Sequence, residues 1–429
     1  MLKNFLLTAR RYSAKVSLLV LLPTFVLIAS GITYAQDAER QGSPSPLIEA
    51  GHPVNWWFAF KFNAGTFPGC GAKAPTERVC RFGGDVQDYV YSQQFVYATN
   101  ENPSLKKGGE CIGDTVTDPL GATFDQLYNG AYYYVVWNDQ FYDDPQIAGC
   151  GESCGAPWGH SKGMLAWNQD GDGVVLQVST PSWPASGSKQ FPRKTDGNTL
   201  GCVEDDNIKV SQHFFSVKLT KSDVIGVLKG LKNASVVTNI NNPQIVRNGG
   251  PDDIQQLVSG LGVRSSSTEI TRLQLSSGIG LISKPSKKHV PPWQMVSSLL
   301  GSVPIKTATW WMRPKIYSTT ASTEIACWDN TLNQPGPVTI AMSGQWEGTK
   351  IGLKGGAGPN FNHAKIGVSD DASDFAIFGD MNQQGVLSGT NCGSSQNGRG
   401  GLFYVVQNQE LSKSIRSLLD GDVAPTTGP

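Results

Sequence analysis

The residues best suited to chemistry occur in one short pattern, His-x-Lys, which appears twice in the chain. The first copy consists of His160 and Lys162, and the second, 203 residues further on, consists of His363 and Lys365. Residues two apart on a strand project to the same face, so each copy directs an imidazole and an ammonium into one space. If two similar halves pack about a pseudo-twofold axis, both pairs meet in one cleft around a small anion.

A cleft of this kind can cleave a phosphodiester without a metal ion. A neutral imidazole attacks phosphorus while a protonated imidazole opposite it donates a proton to the leaving alkoxide. The two lysines hold the non-bridging oxygens and stabilise the charge of the transition state. Because one histidine must be neutral and the other protonated, we expect a bell-shaped pH profile near the histidine pKa of about 6.5.

The alternative interpretation is structural, with each histidine hydrogen-bonded in a core and each lysine facing solvent. It explains a single copy of the pattern better than catalysis does. Two observations favour catalysis for the pair: the chain has only five histidines, and the two copies lie in separate halves. All four residues therefore form the candidate catalytic set.

The strands and helices that could position the two pairs follow from the pattern of apolar residues. Runs of aromatic and β-branched residues predict a strand-rich first half and a second half in which strands alternate with helices. A helix over 221–231, with Ser222 as its N-cap, closes the first half. The predicted strands are 54–62, 132–137, 174–179, 269–275, 307–312, 338–342 and 375–378, and the other predicted helices are 293–300 and 402–419.

The first 35 residues have the features of a signal peptide. Basic residues precede an apolar run over 16–28, and small residues follow it as far as Ala35. The run is short for a membrane span, although an uncleaved anchor is an alternative. We expect an exported protein, secreted or periplasmic, with no membrane attachment once residues 1–35 are removed. The rest divides into a first half over 46–225, a second half over 226–420 and a disordered tail over 421–429.

The charge of the chain does not by itself indicate a nucleic-acid-binding protein. The 35 basic and 35 acidic residues balance, and removal of the leader leaves 31 basic and 35 acidic residues, a formal charge of −4. Attraction to phosphate would have to come from local clusters, for which solvated surface lysines are the commoner explanation. The clusters are Lys284, Lys287, Lys288 with His289, and Arg313 with Lys315.

All eight cysteines lie in the exported part, which favours disulfides in an oxidising compartment. A zinc site at Cys150 and Cys154 is the alternative, but no second pair of ligands follows at finger-like spacing. The six cysteines of the first half could pair in fifteen ways, and the sequence does not choose between them. We expect neither a metal nor another cofactor.

Several segments, in the same order along the chain, resemble the deoxyribonuclease II family. They are HPVNWW at 52–57, WNDQ at 137–140, GHSKG at 159–163, FNHAKIGV at 361–368, FGDMN at 378–382 and RGG at 399–401. The resemblance extends from about His52 to about Gln407. It implies an α/β fold that is a pseudo-dimer of two phospholipase-D-like sandwich halves, each a mixed β-sheet flanked by helices.

The resemblance also implies a function, a metal-independent endonuclease that hydrolyses DNA. The reaction would proceed through a phosphohistidine intermediate, leave 3′-phosphate ends and be favoured at acidic pH. The catalytic pairs of the family fall on the four motif residues. Analogy with the wider superfamily favours His160 as the nucleophile and His363 as the general acid.

Further site residues are carried over one by one from the resemblance. The second-half asparagine of the family falls on Asn382, where a plain turn residue is the alternative interpretation. Ser182 stands where the first half of the family has an asparagine, and its hydroxyl could replace the amide. Both are candidate substrate-binding residues. Cys327 and Cys392 match a bridged pair of the family and are expected to form a disulfide.

Two rival functions stay open. Another phosphodiesterase of the same fold, such as a lipid-cleaving phospholipase D, would use the same four residues but should ignore duplex DNA. A non-catalytic secreted binding protein would keep the fold, and substitution of His160 would then leave its function intact. The complete motif in both halves favours an enzyme.

Overall fold

The computed structural model describes most of the chain beyond the leader. The predicted signal peptide lies outside the described residues. No helix within the described part is both long and apolar enough to cross a membrane. The described residues are 42–69, 80–84, 94–109, 111–195, 197–202 and 207–426.

Eight strands form the first large sheet, and every pair of neighbouring strands in it is antiparallel. A small hairpin of β1 (Leu47–Glu49) and β2 (His52–Pro53) precedes it. The strands are β3 (Trp56–Lys61), β4 (Phe95–Thr99), β5 (Lys106–Lys107), β6 (Tyr133–Asn138), β7 (Lys162–Trp167), β8 (Gly173–Val178), β9 (Gln212–Leu219) and β10 (Val246–Arg247). Their order across the sheet is β10-β6-β7-β8-β9-β3-β4-β5.

Seven strands form the second large sheet, which is antiparallel except for one edge pair. Its strands are β11 (Thr271–Gln274), β12 (Gly280–Lys284), β13 (Ile305–Ala308), β14 (Val338–Ile340), β17 (Ile366–Ser369), β18 (Phe375–Gly379) and β19 (Gly401–Gln407), and a hairpin of β15 (Ser343–Trp346) and β16 (Thr349–Gly352) stands apart. The order is β11-β12-β19-β18-β17-β13-β14. The His-x-Lys patterns lead into strands rather than lying within them as predicted, since β7 begins at Lys162 and β17 begins one residue after Lys365. In both sheets this strand lies between an earlier strand and the next strand along the chain.

Five α-helices of the described residues accompany the sheets. They are α1 (Pro119–Tyr128), α2 (Lys221–Asn233), α3 (Asp252–Val258), α4 (Pro292–Leu299) and α5 (Gln409–Leu418). The two sheets meet through aromatic side chains. Phe378 of β18 stacks on Phe58 of β3 with ring centroids 4.2 Å apart and on Phe215 of β9 at 4.7 Å. All three rings are fully buried, and each contributes roughly 1.5–3 kcal/mol by leaving water. The fold is therefore mixed α/β, with two large sheets packed on one shared core.

Residues 402–419, which the apolar pattern predicts as one helix, form a strand and a helix. Residues Gly401–Gln407 are β19, and α5 begins only at Gln409. Asn408 separates the two, and its side chain accepts a hydrogen bond from the backbone N–H of Leu411, which caps the helix. The strand is buried along almost its whole length, so its apolar run shows no alternation by which a strand is recognised.

The N-cap of α2 is Thr220 rather than the predicted Ser222. The Thr220 hydroxyl accepts a hydrogen bond from the N–H of Asp223, and the Asp223 carboxylate accepts one from the N–H of Thr220. This reciprocal arrangement is a capping box, which satisfies two backbone donors at once.

Two predicted boundaries also need correction. The division between 225 and 226 falls inside α2, and β10 still belongs to the first sheet. The tail predicted as disordered over 421–429 is ordered as far as residue 426. Ala424 is buried, its N–H donates to the carbonyl of Ile340 at 2.8 Å, and Pro425 accepts from Ser318. These partners lie at or near the edge strand β14, which the composition of the tail does not reveal. Residues 427–429 lie outside the described residues.

Candidate active site

The backbone of each His-x-Lys pattern is hydrogen-bonded to the opposite half of the chain. The N–H of His160 donates to the carbonyl of Gly400, just before β19, at 2.8 Å. The N–H of His363 donates to the carbonyl of Ser211, just before β9, also at 2.8 Å. Because each half holds the other's histidine, the two patterns are brought to one place between the sheets.

Each imidazole is also hydrogen-bonded to the backbone of the opposite half of the chain. His160 Nδ1 lies 2.6 Å from the carbonyl oxygen of Asp380, and His363 Nδ1 lies 2.9 Å from that of Ser179. A carbonyl oxygen only accepts, so each Nδ1 must carry the proton. The tautomer that results leaves Nε2 of both neutral imidazoles with a free lone pair, the form that can attack phosphorus or take up a proton.

Two glycines let the first pattern approach the end of α2. A side-chain carbon on Gly159 would lie 2.6 Å from the carbonyl oxygen of Ala234, and one on Gly400 would lie 2.1 Å from it. Both distances are shorter than any real contact of such an atom. A larger residue at either position would push the segment around His160 away from its hydrogen-bond partners.

The two lysines are buried but differ in their partners. Lys162 Nζ donates to Asp139 Oδ1 at 2.5 Å, and the two side chains are 2% and 1% exposed. Lys365 Nζ donates to the backbone carbonyl of His363, and no carboxylate of the described residues pairs with it. Lys162 is therefore compensated in place, whereas Lys365 is the cation that most needs an external anion.

The pKa of His363 is held well below its usual value by burial first, and then by the charges of Lys365, Lys162 and His160. The hydrogen bond to Ser179 opposes this shift to a smaller extent. His363 is thus surrounded by groups that favour its neutral form, and the charges acting on it come from both halves of the chain.

The pKa of His160 is also well below its usual value, mainly because of burial. Asp139 opposes the shift, while Lys162, Arg399 and Lys365 add to it. Asp139 therefore stabilises the protonated form of His160 and has no counterpart beside His363, while the charge of Arg399 partly opposes Asp139 at His160.

Asp139 itself stays ionised. Burial raises the pKa of its carboxyl. A larger opposite effect comes from the charges of Lys162, His160 and Arg399 together with the hydrogen bond from Lys162, so the pKa lies below its usual range. Asp380 behaves in the opposite way, because burial raises its pKa to about 7 against the hydrogen bonds from Ser161, Leu402 and Gln177. The site thus holds one permanent carboxylate and one that is protonated in acid.

Arg399 links the halves and was not predicted as a site residue. Its guanidinium donates to Asp139 Oδ2 at 2.8 Å and to the carbonyls of Cys154 and Gly159 at 2.7 Å each, and its Nε donates to the carbonyl of Trp158 at 3.0 Å. It therefore fixes the segment that leads into His160. In the sequence, Arg399 stands out only as part of the RGG segment that resembles the deoxyribonuclease II family.

His213 and Trp310 are two further neighbours that the sequence did not indicate. His213 Nδ1 accepts a hydrogen bond from the backbone N–H of Lys365 at 3.1 Å, which places this buried imidazole directly behind the second pattern. The ring of Trp310 stands perpendicular to that of His363, with centroids 4.7 Å apart. His213 is one of only five histidines in the chain, which could have indicated a role at the site, but it is not part of a His-x-Lys pattern.

The two candidate substrate-binding residues lie in different surroundings. Asn382 is buried, its Nδ2 donates to Gln384 Oε1 at 3.0 Å, and its Oδ1 has no partner among the described residues. Ser182 is fully buried with a φ of 59°, and its hydroxyl accepts from Arg193 NH1 at 2.5 Å. Asn382 thus keeps hydrogen-bonding capacity, whereas the Ser182 hydroxyl is occupied by an internal cation.

Three disulfides join described cysteines. They are Cys80–Cys202, Cys150–Cys154 and Cys327–Cys392, the last being the pair expected from the resemblance. The thiols of Cys150 and Cys154 are consumed in their bond, so they do not act as zinc ligands. No group of three or more metal-binding side chains occurs in the part of the chain that the structure describes.

Comparison with known proteins gives a family for this chain. The family model of deoxyribonuclease II matches residues 45–421. No curated protein matches. Two solved structures of yeast tyrosyl-DNA phosphodiesterase are similar to this chain. The first is a mutant of the yeast enzyme. It is 8% identical to this chain, the match covers 68% of this chain and 86% of the yeast chain, and the TM-score is 0.33. A second structure is 9% identical, covering 68% and 88%, with a TM-score of 0.34. Since the family model spans nearly the whole described chain, the protein belongs to the deoxyribonuclease II family of hydrolytic nucleases.

Proposed function

We propose that the protein is an exported endonuclease that hydrolyses DNA phosphodiesters with two histidines and no metal ion. The observation that carries the proposal is the reciprocal pair of hydrogen bonds from His160 Nδ1 to the carbonyl of Asp380 and from His363 Nδ1 to that of Ser179. It leaves both Nε2 atoms free in one buried site with two lysines. A purely structural histidine would have no need of this matched orientation.

The proposed reaction has two steps. Nε2 of one histidine attacks phosphorus, the bond to the 5′-oxygen breaks, and the other histidine gives that oxygen its proton. Water then attacks phosphorus, the bond from phosphorus to the first histidine breaks, and the other histidine takes up a proton from that water, which leaves a 3′-phosphate. Lys365 would bind a non-bridging oxygen, with Lys162 and Asn382 beside it.

We infer that the two halves arose as copies of one unit, as expected for a phospholipase-D-like pseudo-dimer. The inner strand order β6-β7-β8-β9-β3-β4 corresponds to β13-β17-β18-β19-β12-β11. The helices correspond too, because α1 precedes β6 and α2 follows β9, as α4 precedes β13 and α5 follows β19. The copies differ in two ways. Strands β14 to β16 are inserted between β13 and β17 in the second unit. The strands matched to β3 and β4 are β12 and β11, and these come in the opposite order along the chain.

The site favours work at acidic pH. The pKa values of both histidines lie well below the usual value, so one of them is protonated only in acid unless bound phosphate raises its pKa. Asp380 is protonated below about pH 7, which removes a negative charge from the site that binds an anion. Both effects point to an optimum on the acidic side.

Plasmid cleavage by the mature protein in excess EDTA, followed from pH 4 to 8, tests the proposal. We expect cleavage by the wild type and none by His160→Ala or His363→Ala, while His52→Ala, a change at an exposed histidine, keeps full activity. Ends that ligate only after treatment with a 3′-phosphatase would establish the 3′-phosphate. A wild type that is inert, or cleaves only with added divalent metal, overturns the mechanism.

A lipid phosphodiesterase with the same four residues is the nearest rival. A phospholipid should then be cleaved faster than DNA, and duplex DNA should not inhibit that reaction. A binding protein is the other rival, and it predicts that His160→Ala retains ligand binding while no substrate is turned over by any variant. A further experiment separates both rivals from the proposal. Excess protein is mixed with labelled DNA for a single turnover and the reaction is stopped with base. Under the proposal, labelled DNA should be found covalently joined to one histidine of the protein.

A further inference from the structure

One exposed segment, residues 310–317, leads directly away from the second histidine. It begins at Trp310, whose half-buried ring contacts His363. Met312 is 41% exposed and Tyr317 is 39% exposed, which is unusual for side chains of this size. Between them lie Arg313, which is exposed, and Lys315, which is partly exposed. The segment therefore presents two cations and a tyrosine to solvent, a few residues along the chain from the ring that contacts His363.

The segment is held in place by the loop that carries Asn382. Gln384 Nε2 donates to the carbonyl of Met312 at 3.0 Å, and Asn382 Nδ2 donates to Gln384 Oε1 at 3.0 Å. The N–H of Gly385 donates to the carbonyl of Pro314 at 3.0 Å. A candidate substrate-binding residue is therefore one hydrogen bond removed from the backbone of the segment.

Trp311 supports two of the outward side chains. Its own ring is buried, and its Nε1 donates to the carbonyl of Ile316 at 2.7 Å. The Lys315 ammonium lies 4.3 Å from the centre of this ring, and the Tyr317 ring packs edge-on at 5.4 Å. Both side chains are thus held before any ligand arrives, which lowers the entropy lost on binding.

The charge of the segment is unopposed. Residues 309–323 contain no Asp or Glu, and no carboxylate of the described residues pairs with Arg313 or Lys315. Three to five residues of extended chain span at most about 11–18 Å, so both cations lie within reach of the first few phosphates beyond the scissile one. Aromatic faces beside a cationic track are the features by which proteins bind unpaired nucleotides.

We propose that residues 310–317 are the DNA-binding edge of this site, along which the strand leaves the reacting phosphate. Arg313 and Lys315 contact backbone phosphates, and Tyr317 offers a ring on which a base stacks. The proposal rests on the proposed function, since it takes the anion at the two histidines to be a phosphate of DNA. It adds the direction in which the strand runs, from the second pattern along the loop that follows β13.

The test is the double substitution Arg313→Gln with Lys315→Gln in the mature protein. The matched control is Lys106→Gln with Lys107→Gln on the exposed strand β5, which removes the same charge at the edge of the first sheet away from β7. Binding of a fluorescent DNA oligonucleotide is measured by anisotropy in EDTA over a series of salt concentrations, in a His160→Ala background where the parent cleaves. Cleavage of bis(p-nitrophenyl) phosphate, which fills only the phosphate site, is measured in parallel.

We expect the Arg313/Lys315 variant to bind DNA about 10-fold more weakly at 50 mM salt, with a salt dependence lower by about 1.4–1.8 in log–log slope. The small diester should be cleaved as by the wild type, and the Lys106/Lys107 control should bind DNA nearly as well as its parent. Equal loss on the small diester would mean that the segment acts on the site and not on DNA, which overturns the proposal. So would DNA binding no weaker than that of the control.

Failure of the proposed function gives a different result. A wild type that cleaves neither DNA nor the small diester refutes the enzyme, while the anisotropy series still decides whether the segment binds DNA. Cleavage of both substrates with no effect of the Arg313/Lys315 change refutes the binding edge and leaves the nuclease intact.

Discussion

Asp139 is the residue whose replacement is most informative, because it is the carboxylate that stabilises the protonated form of His160, and no carboxylate has that effect on His363. The substitution Asp139→Asn keeps the shape of the side chain and removes its charge. Lys162, 2.5 Å away, and Arg399, 2.8 Å away, both lose their carboxylate partner. Arg399 retains three backbone carbonyls, whereas no other acceptor for Lys162 is seen among the described residues.

The expected loss of stability is large for one substitution. Asp139 and Lys162 are 1% and 2% exposed, so solvent does not screen the pair, and breaking a buried pair from one side costs about 3–5 kcal/mol. For a chain of this length that corresponds to a fall in Tm of about 4–6 °C. Asp143→Asn, at an exposed carboxylate four residues away, is the matched control and should change Tm little.

The pH dependence of this loss has a definite sign. The pKa of Asp139 is lowered in the folded protein, so its contribution is complete above the unfolded value of about 3.9 and is lost as pH falls through the folded pKa. The difference in Tm between wild type and variant should therefore stay constant from pH 5 to 7 and shrink only in stronger acid. A difference that grows as pH falls from 7 to 5 would refute this account of the pair.

The same variant identifies the role of His160. Asp139 raises the pKa of His160, so its removal lowers that pKa further. If His160 is the nucleophile, as the superfamily analogy favours, the acidic limb of the kcat/KM profile should move to lower pH. If His160 is the general acid, as its nearby carboxylate favours, the alkaline limb should move to lower pH instead. Unmoved limbs in a folded variant would show that Asp139 does not act on His160 at all.

Three further substitutions test other parts of the site. Burial raises the pKa of Asp380 to about 7, so the stability that its protonated form contributes is lost as pH rises from about 3.9 through 7. Thermal unfolding of Asp380→Asn and wild type at each pH should show the free energy of unfolding of the variant rising by about 3 kcal/mol relative to wild type between pH 5 and 8. His213→Leu leaves the N–H of Lys365 without its acceptor and should cost about 1–3 kcal/mol together with a fall in kcat/KM; an unchanged Tm would contradict the assigned hydrogen bond. Cys327→Ser with Cys392→Ser opens a loop of 65 residues and should lower the free energy of unfolding by about 4 kcal/mol in denaturant titration, and a smaller effect than that of a surface control would contradict it.

The residues of the candidate site that recur as a pattern could be predicted from the sequence. His160, Lys162, His363 and Lys365 share residue type and spacing, and the structure places the four close enough for their charges to act on one another. The cores of the strands near them were also predictable, because β6 and β8 carry dense aromatic and β-branched runs. Local patterns of this kind are visible in sequence because both partners lie within three residues of each other, although the pairs themselves stand at the start of β7 and just before β17.

The partners that come from distant parts of the chain were not predictable. Asp139 lies 23 residues from Lys162 and 260 from Arg399, and such separations carry no periodic signal. The carbonyls that hold the imidazoles belong to Asp380 and Ser179, and a backbone acceptor is the same in every residue. Side-chain identity therefore indicates the candidate groups, while the backbone that orients them is visible only in three dimensions.

The arrangement of the site is symmetric in position and asymmetric in charge. Each imidazole is oriented by a carbonyl from the opposite half, which is what two copies of one unit would share. Matching the inner strands β6 and β13 places Asp139 of one unit at the position of Trp310 in the other. One position thus puts a carboxylate near His160 and an indole against His363. The proposed mechanism needs one neutral and one protonated histidine, and symmetric surroundings would not determine which of the two carries the proton. If the proposed mechanism holds, the difference at this pair of positions favours protonation of His160 over His363 and so favours His160 as the proton donor.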